Sequence, residues 1–358
     1  MPNELGARRV FPAGQALGWL AMALLSSHCA EGTSTGTTDA SVEDTVDSGP
    51  PPSATDAGRD AGVNADGDAA LTDEPDAGDI DAGTVADAGQ AGPGDCLPAT
   101  AGNPFADGWY ADPDMRVYDG VYWVYPTYSY PWGEQTFLDA FSSPDLVHWT
   151  KHERVFEKPA GATWIRGAIW APAPIFRDGR YFLYFGANDY KPGDPPGGIG
   201  VAVADHPGGP FVDAIGAPLI GAQINGANPI DQSVFLDDDG QAYLYYGGGG
   251  HCNVVKLHAD MKSLDASSYR EITPEGYVEG SLMFKRNGTY YLMWSEGTWT
   301  GPAHRVSYAM AEPPLGPFEK RATILSENSA IGTRYGHNTV VNATSTDDRN
   351  IFYHRHPL

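Results

Sequence analysis

A short turn followed by an aromatic strand recurs five times in this chain, and that recurrence limits its fold more than any other feature. Asp119-Gly120 precedes Val-Tyr-Trp-Val-Tyr125, and Asp178-Gly179 precedes Arg-Tyr-Phe-Leu-Tyr184. Asp239-Gly240 precedes Gln-Ala-Tyr-Leu-Tyr245, and Asn287-Gly288 precedes Thr-Tyr-Tyr-Leu-Met293. A fifth unit, without glycine, reads Asp348-Arg-Asn-Ile-Phe-Tyr353. Asn-Gly and Asp-Gly are strong hairpin signals because both central residues of a tight type I′ turn take positive φ. The closing residues of the five units are 59, 61, 48 and 60 positions apart. A period near 50 residues, with several aromatic strands in each, predicts an all-β fold, a five-bladed β-propeller.

Upstream of the five strands lie Asp112, then Trp170-Ala171-Pro172, then Asp231, Glu279 and His337, seven to eleven residues before the first turn residue. The first strand of a propeller blade lines the central channel, so these positions converge on one axis. Buried carboxylates are costly unless used or paired. Three of them at an aromatic-lined, water-accessible mouth point to hydrolysis of glycosides. That reaction needs one carboxylic acid to protonate the leaving oxygen and one carboxylate to activate water or attack the sugar. A third acid beside the proton donor raises its pKa by like-charge repulsion.

The motifs Tyr-Ala-Asp-Pro-Asp114, Ile-Trp-Ala-Pro172, Pro-Ile-Asp-Gln-Ser233, Val-Glu-Gly280 and Gly-His337 resemble, in order, those of family 43 glycoside hydrolases. The resemblance runs from about Asn103 to the C-terminus. It implies an inverting mechanism with Asp112 as general base, Glu279 as general acid and Asp231 tuning and orienting that acid. The pH profile this implies is bell-shaped, its acidic limb reporting Asp112 and its basic limb the Asp231-coupled Glu279. His337 falls where the family has a channel histidine, associated with a water or a structural calcium on the axis; no cofactor is required. Trp109, Tyr128, Trp170, Trp299 and Arg166 are the candidates for sugar contacts. Segments Asp139–Trp149 and Gly198–Asp205 are similar to members acting on furanosides, arabinofuranose or galactofuranose, with β-xylosides open. The partner implied is an oligo- or polysaccharide. A non-catalytic carbohydrate-binding propeller and an inactive, truncated paralogue are the competing readings.

Residues 1–29 read as an export signal, with Arg8-Arg9, an apolar run from Val10 to Leu25, and Cys29 at the position of a lipoprotein anchor. The expected location is therefore outside the cytoplasm, secreted or held at a membrane only through lipid on Cys29. Residues 30–95 carry Asp-Ala-Gly five times and 16 acids against one base, Arg59, out of a formal net charge of −24. Such a segment cannot bury enough apolar surface to offset its ordering entropy, which predicts a disordered linker. Its acidity excludes nucleic acid as a natural partner. Residues 96–358 form the folded part. Cys96 and Cys252 either pair or leave Cys252 a buried thiol. After Tyr353 only five residues remain, so the last blade is expected to be incomplete, with an open edge. Cys96–Trp109 is the stretch expected to lend it one strand.

Overall fold

The computed structural model describes residues 4–10, 104–106, 108–188, 197–299, 301, 303–326, 332–342 and 349–356. Chain contacts divide the chain into Met1–Ser26 with Cys96–Leu358, and Ser27–Asp95. The second unit, with most of the linker of the sequence reading and Cys29, lies outside the described residues, as does Cys96.

The folded unit is built from antiparallel sheets. The first contains β2 (Tyr110–Tyr118), β3 (Val121–Tyr128), β4 (Phe137–Ser143) and β5 (Thr150–Glu157). The second contains β6 (Ile169–Arg177), β7 (Arg180–Ala187), β8 (Gly198–Ala204) and β9 (Val212–Asp213). The third contains β10 (Ser233–Leu236), β11 (Ala242–Tyr246), β12 (Asn253–Leu257) and β13 (Leu264–Glu271). The fourth contains β14 (Glu279–Arg286), β15 (Thr289–Glu296), β16 (Arg305–Ala311) and β17 (Glu319–Leu325). A last, three-stranded sheet holds β18 (Thr333–Asn342) and β19 (Arg349–His356), with β1 (Glu4–Val10) antiparallel on the outer side of β19.

Each sheet packs on the next, β2 and β3 on β6, β6 on β10, β10 and β11 on β14, β14 and β15 on β18, and β18 and β19 back on β2. The ring is thus closed, and the all-β propeller of the sequence reading is the architecture. The seams are apolar because the second strand of each sheet is covered on both faces. β11, Ala-Tyr-Leu-Tyr-Tyr, is buried at every residue, while β5 is mostly exposed and β13 has no buried residue. Along the closing seam Phe352 and Val341 pack against Met115 and Val124.

The hairpin turns follow from their sequences. Asp119-Gly120, Asp178-Gly179 and Asn287-Gly288 have positive φ at both residues, near 50° and 79°. Asp239-Gly240 departs from that expectation. Only Gly240 is left-handed, and its N–H donates to the Asp237 carbonyl across a longer loop. The third strand of the last sheet is also a departure. It comes from Glu4–Val10, inside the segment read as an export signal, whereas most of Cys96–Trp109, the stretch expected there, lies outside the described residues. An edge strand presents a row of unpaired N–H and C=O groups, so β19 accepts whichever extended segment reaches it. Phe105 instead plugs the closing seam, stacked on Trp149 with centroids 4.3 Å apart and edge-on to Phe352.

Candidate active site

The first strands share one local irregularity, and it builds the site. At corresponding points in or just before each, a residue is left-handed: Asp112 (φ 46°), Ala171 (44°), Asp231 (55°), Gly280 (69°) and His337 (26°). In β2, β6, β14 and β18 the pairing register shifts at this point, which marks a β-bulge. A non-glycine residue held there costs roughly 1–3 kcal/mol. The bulge breaks the ladder and re-aims the side chain toward the axis. By this register Asp112, Asp231 and His337 are equivalent positions, whereas Glu279 stands one residue earlier, beside the bulged Gly280.

The backbone N–H groups freed by the bulges find partners across the seams. Ala171 N–H donates to Thr127 Oγ1 at 2.7 Å and His337 N–H to Ser295 Oγ at 2.9 Å. Asp112 N–H donates to His354 Nδ1 at 3.2 Å, and Gly280 N–H to the Asp231 carboxylate. Below the bulges Arg116 ties three sheets together. Its guanidinium donates to the carbonyls of Pro174 (2.8 Å) and Val234 (3.2 Å) and pairs with Asp114 at 3.0 Å. Asp114 in turn accepts from Thr339 of β18 at 3.1 Å.

His337 stands between two carboxylates, its Nδ1 3.4 Å from Asp112 Oδ1 and 3.7 Å from Asp231 Oδ2. Burial lowers its pKa, but the hydrogen bond to Asp112 and the charges of Asp231, Asp112 and Glu279 prevail and raise it to about 9. Burial raises Asp112, yet His337 and the His354 ring, 3.4 Å from the same Oδ1, outweigh this and hold it well below the usual carboxylate range. Asp231 is raised to about 6 by burial, with the His337 charge opposing and Asp112 adding to the rise. Glu279 is raised furthest, to about 8, by burial first and then by the charges of Asp231 and Asp112. The Asp112 side chain keeps 21% of its exposure against 10% for Asp231, so water reaches Asp112 more readily.

Near neutral pH this arrangement presents an ionised Asp112, a protonated Glu279 and an ionised Asp231 bridged by an imidazolium. Among the described residues no group of three or more His, Cys, Asp or Glu has the arrangement of a metal site.

The aromatic candidates divide. The loops between second and third strands lie on the face where the first strands begin, because the paired strands run antiparallel. Trp299, 64% exposed, is in such a loop after β15, and Trp132, 50% exposed, is in the one after β3. The Trp132 ring lies so close over Gly167 that a Cβ there would come within 2.1 Å of it. Trp170 is half-buried and donates its indole N–H to Gln135 Oε1 of the same loop. Tyr128 belongs instead to an aromatic ladder, stacked on Tyr130 at 5.2 Å and against Phe137 at 4.5 Å. Trp109 is half-buried at the entry to β2, where its carbonyl accepts from Ser129. Arg166 is exposed and fixed through its backbone, its N–H on Asn188 Oδ1 and its carbonyl accepting from Lys158 Nζ. Cys252 is a buried free thiol, pushed up to about 12 by burial.

A propeller that gathers one low and one raised carboxylate at the mouth of its axis is a hydrolase working by paired acid and base. More narrowly, residues 101–358 match the family model "Glycosyl hydrolases family 43", and the chain belongs to that family. It is an inverting O-glycosyl hydrolase. The chain is 46% identical over 267 residues to the beta-D-galactofuranosidase xynD of Aspergillus niger, covering 71% of this chain and 76% of that protein. It is 32% identical over 269 residues to an arabinoxylan arabinofuranohydrolase of Bacillus subtilis, covering 62% of this chain and 51% of that one. Among solved structures, an alpha-L-arabinofuranosidase of Clostridium thermocellum superposes with a TM-score of 0.57 at 31% identity, over 67% of this chain and 81% of that one.

Sequence reasoning missed His354, Asp114, Arg116, Thr127 and Ser295. Thr127 and Ser295 carry a readable signal, since each stands seven residues after its turn glycine. Gly186 and Gly247 occupy the same offset in the second and third units. The fifth unit has no turn glycine, so His354 escapes that alignment.

Proposed function

We propose that this protein is an exo-acting furanosidase that removes a terminal arabinofuranose or galactofuranose residue from an oligo- or polysaccharide. The reading rests above all on one observation, the division of the axial carboxylates into a low Asp112 and a high Glu279. Asp112 deprotonates the water that attacks the anomeric carbon. Glu279 gives its proton to the departing glycosidic oxygen. Asp231 keeps Glu279 protonated by its charge, and its hydrogen bond from Gly280 N–H fixes the neighbouring residue. His337 holds Asp112 and Asp231 apart in charge and in space. Trp170, Trp132 and Trp299 offer apolar faces to sugar C–H surfaces at the mouth, and no step calls for a metal. The similarity to a galactofuranosidase and to arabinofuranosidases supports the furanose, and the exposed aromatics support a glycan partner.

The three-stranded sheet serves, in this reading, as the fifth blade. The protein is exported, with Arg8-Arg9, the apolar run and Cys29 as the supporting features, and the acidic segment acts as a tether. Cleavage before Cys29 would remove β1 and leave β19 open, so mass analysis of the mature protein bears on both points. The test of function is turnover on nitrophenyl α-arabinofuranoside, β-galactofuranoside and β-xyloside. A furanoside is the expected substrate. Turnover of the xyloside alone contradicts the furanosidase reading, and binding without turnover of any of them contradicts the catalytic one.

A further inference from the structure

We infer that His354 is a positioning residue for Asp112, capping the backbone N–H that the bulge frees and thereby aiming the carboxylate at its water. The inference rests on the reading of Asp112 as the general base. Its ground is a rule that repeats around the ring. The residue just before each bulge pairs with a fixed position on the second strand of its own sheet: Ala111 with Thr127, Trp170 with Gly186, Glu279 with Ser295 and Gly336 with His354. In the third sheet Gly247 N–H bonds to Ile230, which makes it the corresponding residue. Where this position carries a side chain, that side chain accepts the bulge N–H of the next sheet in the ring. Thr127 caps Ala171, Ser295 caps His337, and His354 caps Asp112. Two of the three caps are hydroxyls. The histidine stands at the seam that carries the base.

The same Nδ1 of His354 lies 3.4 Å from Asp112 Oδ1, so the ring meets both the backbone and the carboxylate of that residue. Nδ1 accepts the Asp112 N–H, so in the neutral imidazole the proton resides on Nε2. Behind His354 lies the His304 ring, 5.9 Å between centroids, which burial holds down to about 3 and therefore uncharged. His304 packs against Gly336, where a Cβ would come within 1.9 Å of its Cε1, and so closes the space into which His354 could retreat. Asp112 has a left-handed backbone that its partner must hold, and the partner is rigidly backed.

The test compares His354→Thr with His354→Val, which have nearly the same shape and differ in one acceptor. A γ-hydroxyl already performs this capping at Thr127 and Ser295. In His354→Val we expect kcat to fall about 10–100-fold, the scale of a misplaced catalytic group, with KM within about twofold. His354→Thr recovers most of that loss. If His354→Val does not fold, His354→Asn against His354→Leu supplies the same comparison, since Asn Oδ1 occupies the Nδ1 position. On an Asp112→Asn background, replacing His354 by Val should cost nothing further, because it acts through Asp112. Equal losses in the acceptor and non-acceptor variants, or losses that multiply on the Asp112→Asn background, overturn the inference. Wild-type turnover in Asp112→Asn would instead sink the base assignment and leave the cap itself standing as a structural contact.

Discussion

Replacing Asp231 by Asn isolates how the acid is kept protonated. Glu279 is raised from 4.5 to about 8, with burial the largest cause and the Asp231 charge the next. Asp231 itself is raised to about 6, so across the range in which Glu279 titrates Asp231 is already ionised and its repulsion is fully expressed. Asn removes that charge while preserving shape. Burial remains, so the acid does not return to 4.5. We expect the basic limb of kcat/KM to move down by about one to two pH units, each worth about 1.4 kcal/mol of differential interaction. At pH 7 the wild-type acid is roughly nine-tenths protonated and the variant half or less. The assay is an initial-rate profile from pH 4 to 9.5 on a glycoside with a poor leaving group, where proton donation limits the rate. A basic limb that stays in place or moves up refutes Asp231 as the source of the shift.

The acidic limb offers a second check. Asp112 is held too low to titrate in the working range, so loss of activity on acidification should report the Asp231-containing cluster near pH 6, as a property of the coupled groups and not of one residue. Glu279→Gln should lose turnover of natural oligosaccharides while sparing activated aryl glycosides, compared by kcat on both. Asp112→Asn should cost about 10²–10⁴-fold in kcat with sugar binding preserved, measured by kinetics and calorimetric titration. Arg116→Met should destabilise the fold by about 3 kcal/mol, the lower end for breaking a buried pair, because Asp114 relieves part of the cost by taking up a proton. Burial raises Asp114, with Arg116 opposing that rise, so the variant's deficit should shrink as pH falls, read by urea unfolding at two pH values.

The sequence carried the ring and its axis, because turn chemistry and aromatic strands are local signals that repeat. Asp112, Asp231 and His337 were legible as equivalents because each precedes its turn by a similar interval. Glu279 was legible too, although its one-residue offset from the bulge was not, since Gly280 takes positive φ without any side chain to mark it. What stayed hidden was long-range. Arg116 reaches carbonyls 58 and 118 residues away, and His354 caps a residue 242 positions earlier, contacts no local pattern records. The lowering of Asp112 belongs to the same class, since it depends on two histidines from the last sheet. Neither histidine is near Asp112 in sequence, so its setting has no local signature. The third strand on β19 came from the far end of the chain, where composition pointed to export and not to pairing.

The anomeric configuration of the first product tests the central claim most directly. Proton NMR during the first minutes of hydrolysis, before mutarotation, follows the sugar released from an arabinofuranoside or galactofuranoside. A single attack by water activated at Asp112, with Glu279 protonating the leaving oxygen, predicts a product of inverted configuration from the first spectrum onward. A product that first appears with retained configuration would mean that a carboxylate attacks the sugar, and would contradict the roles assigned to both residues.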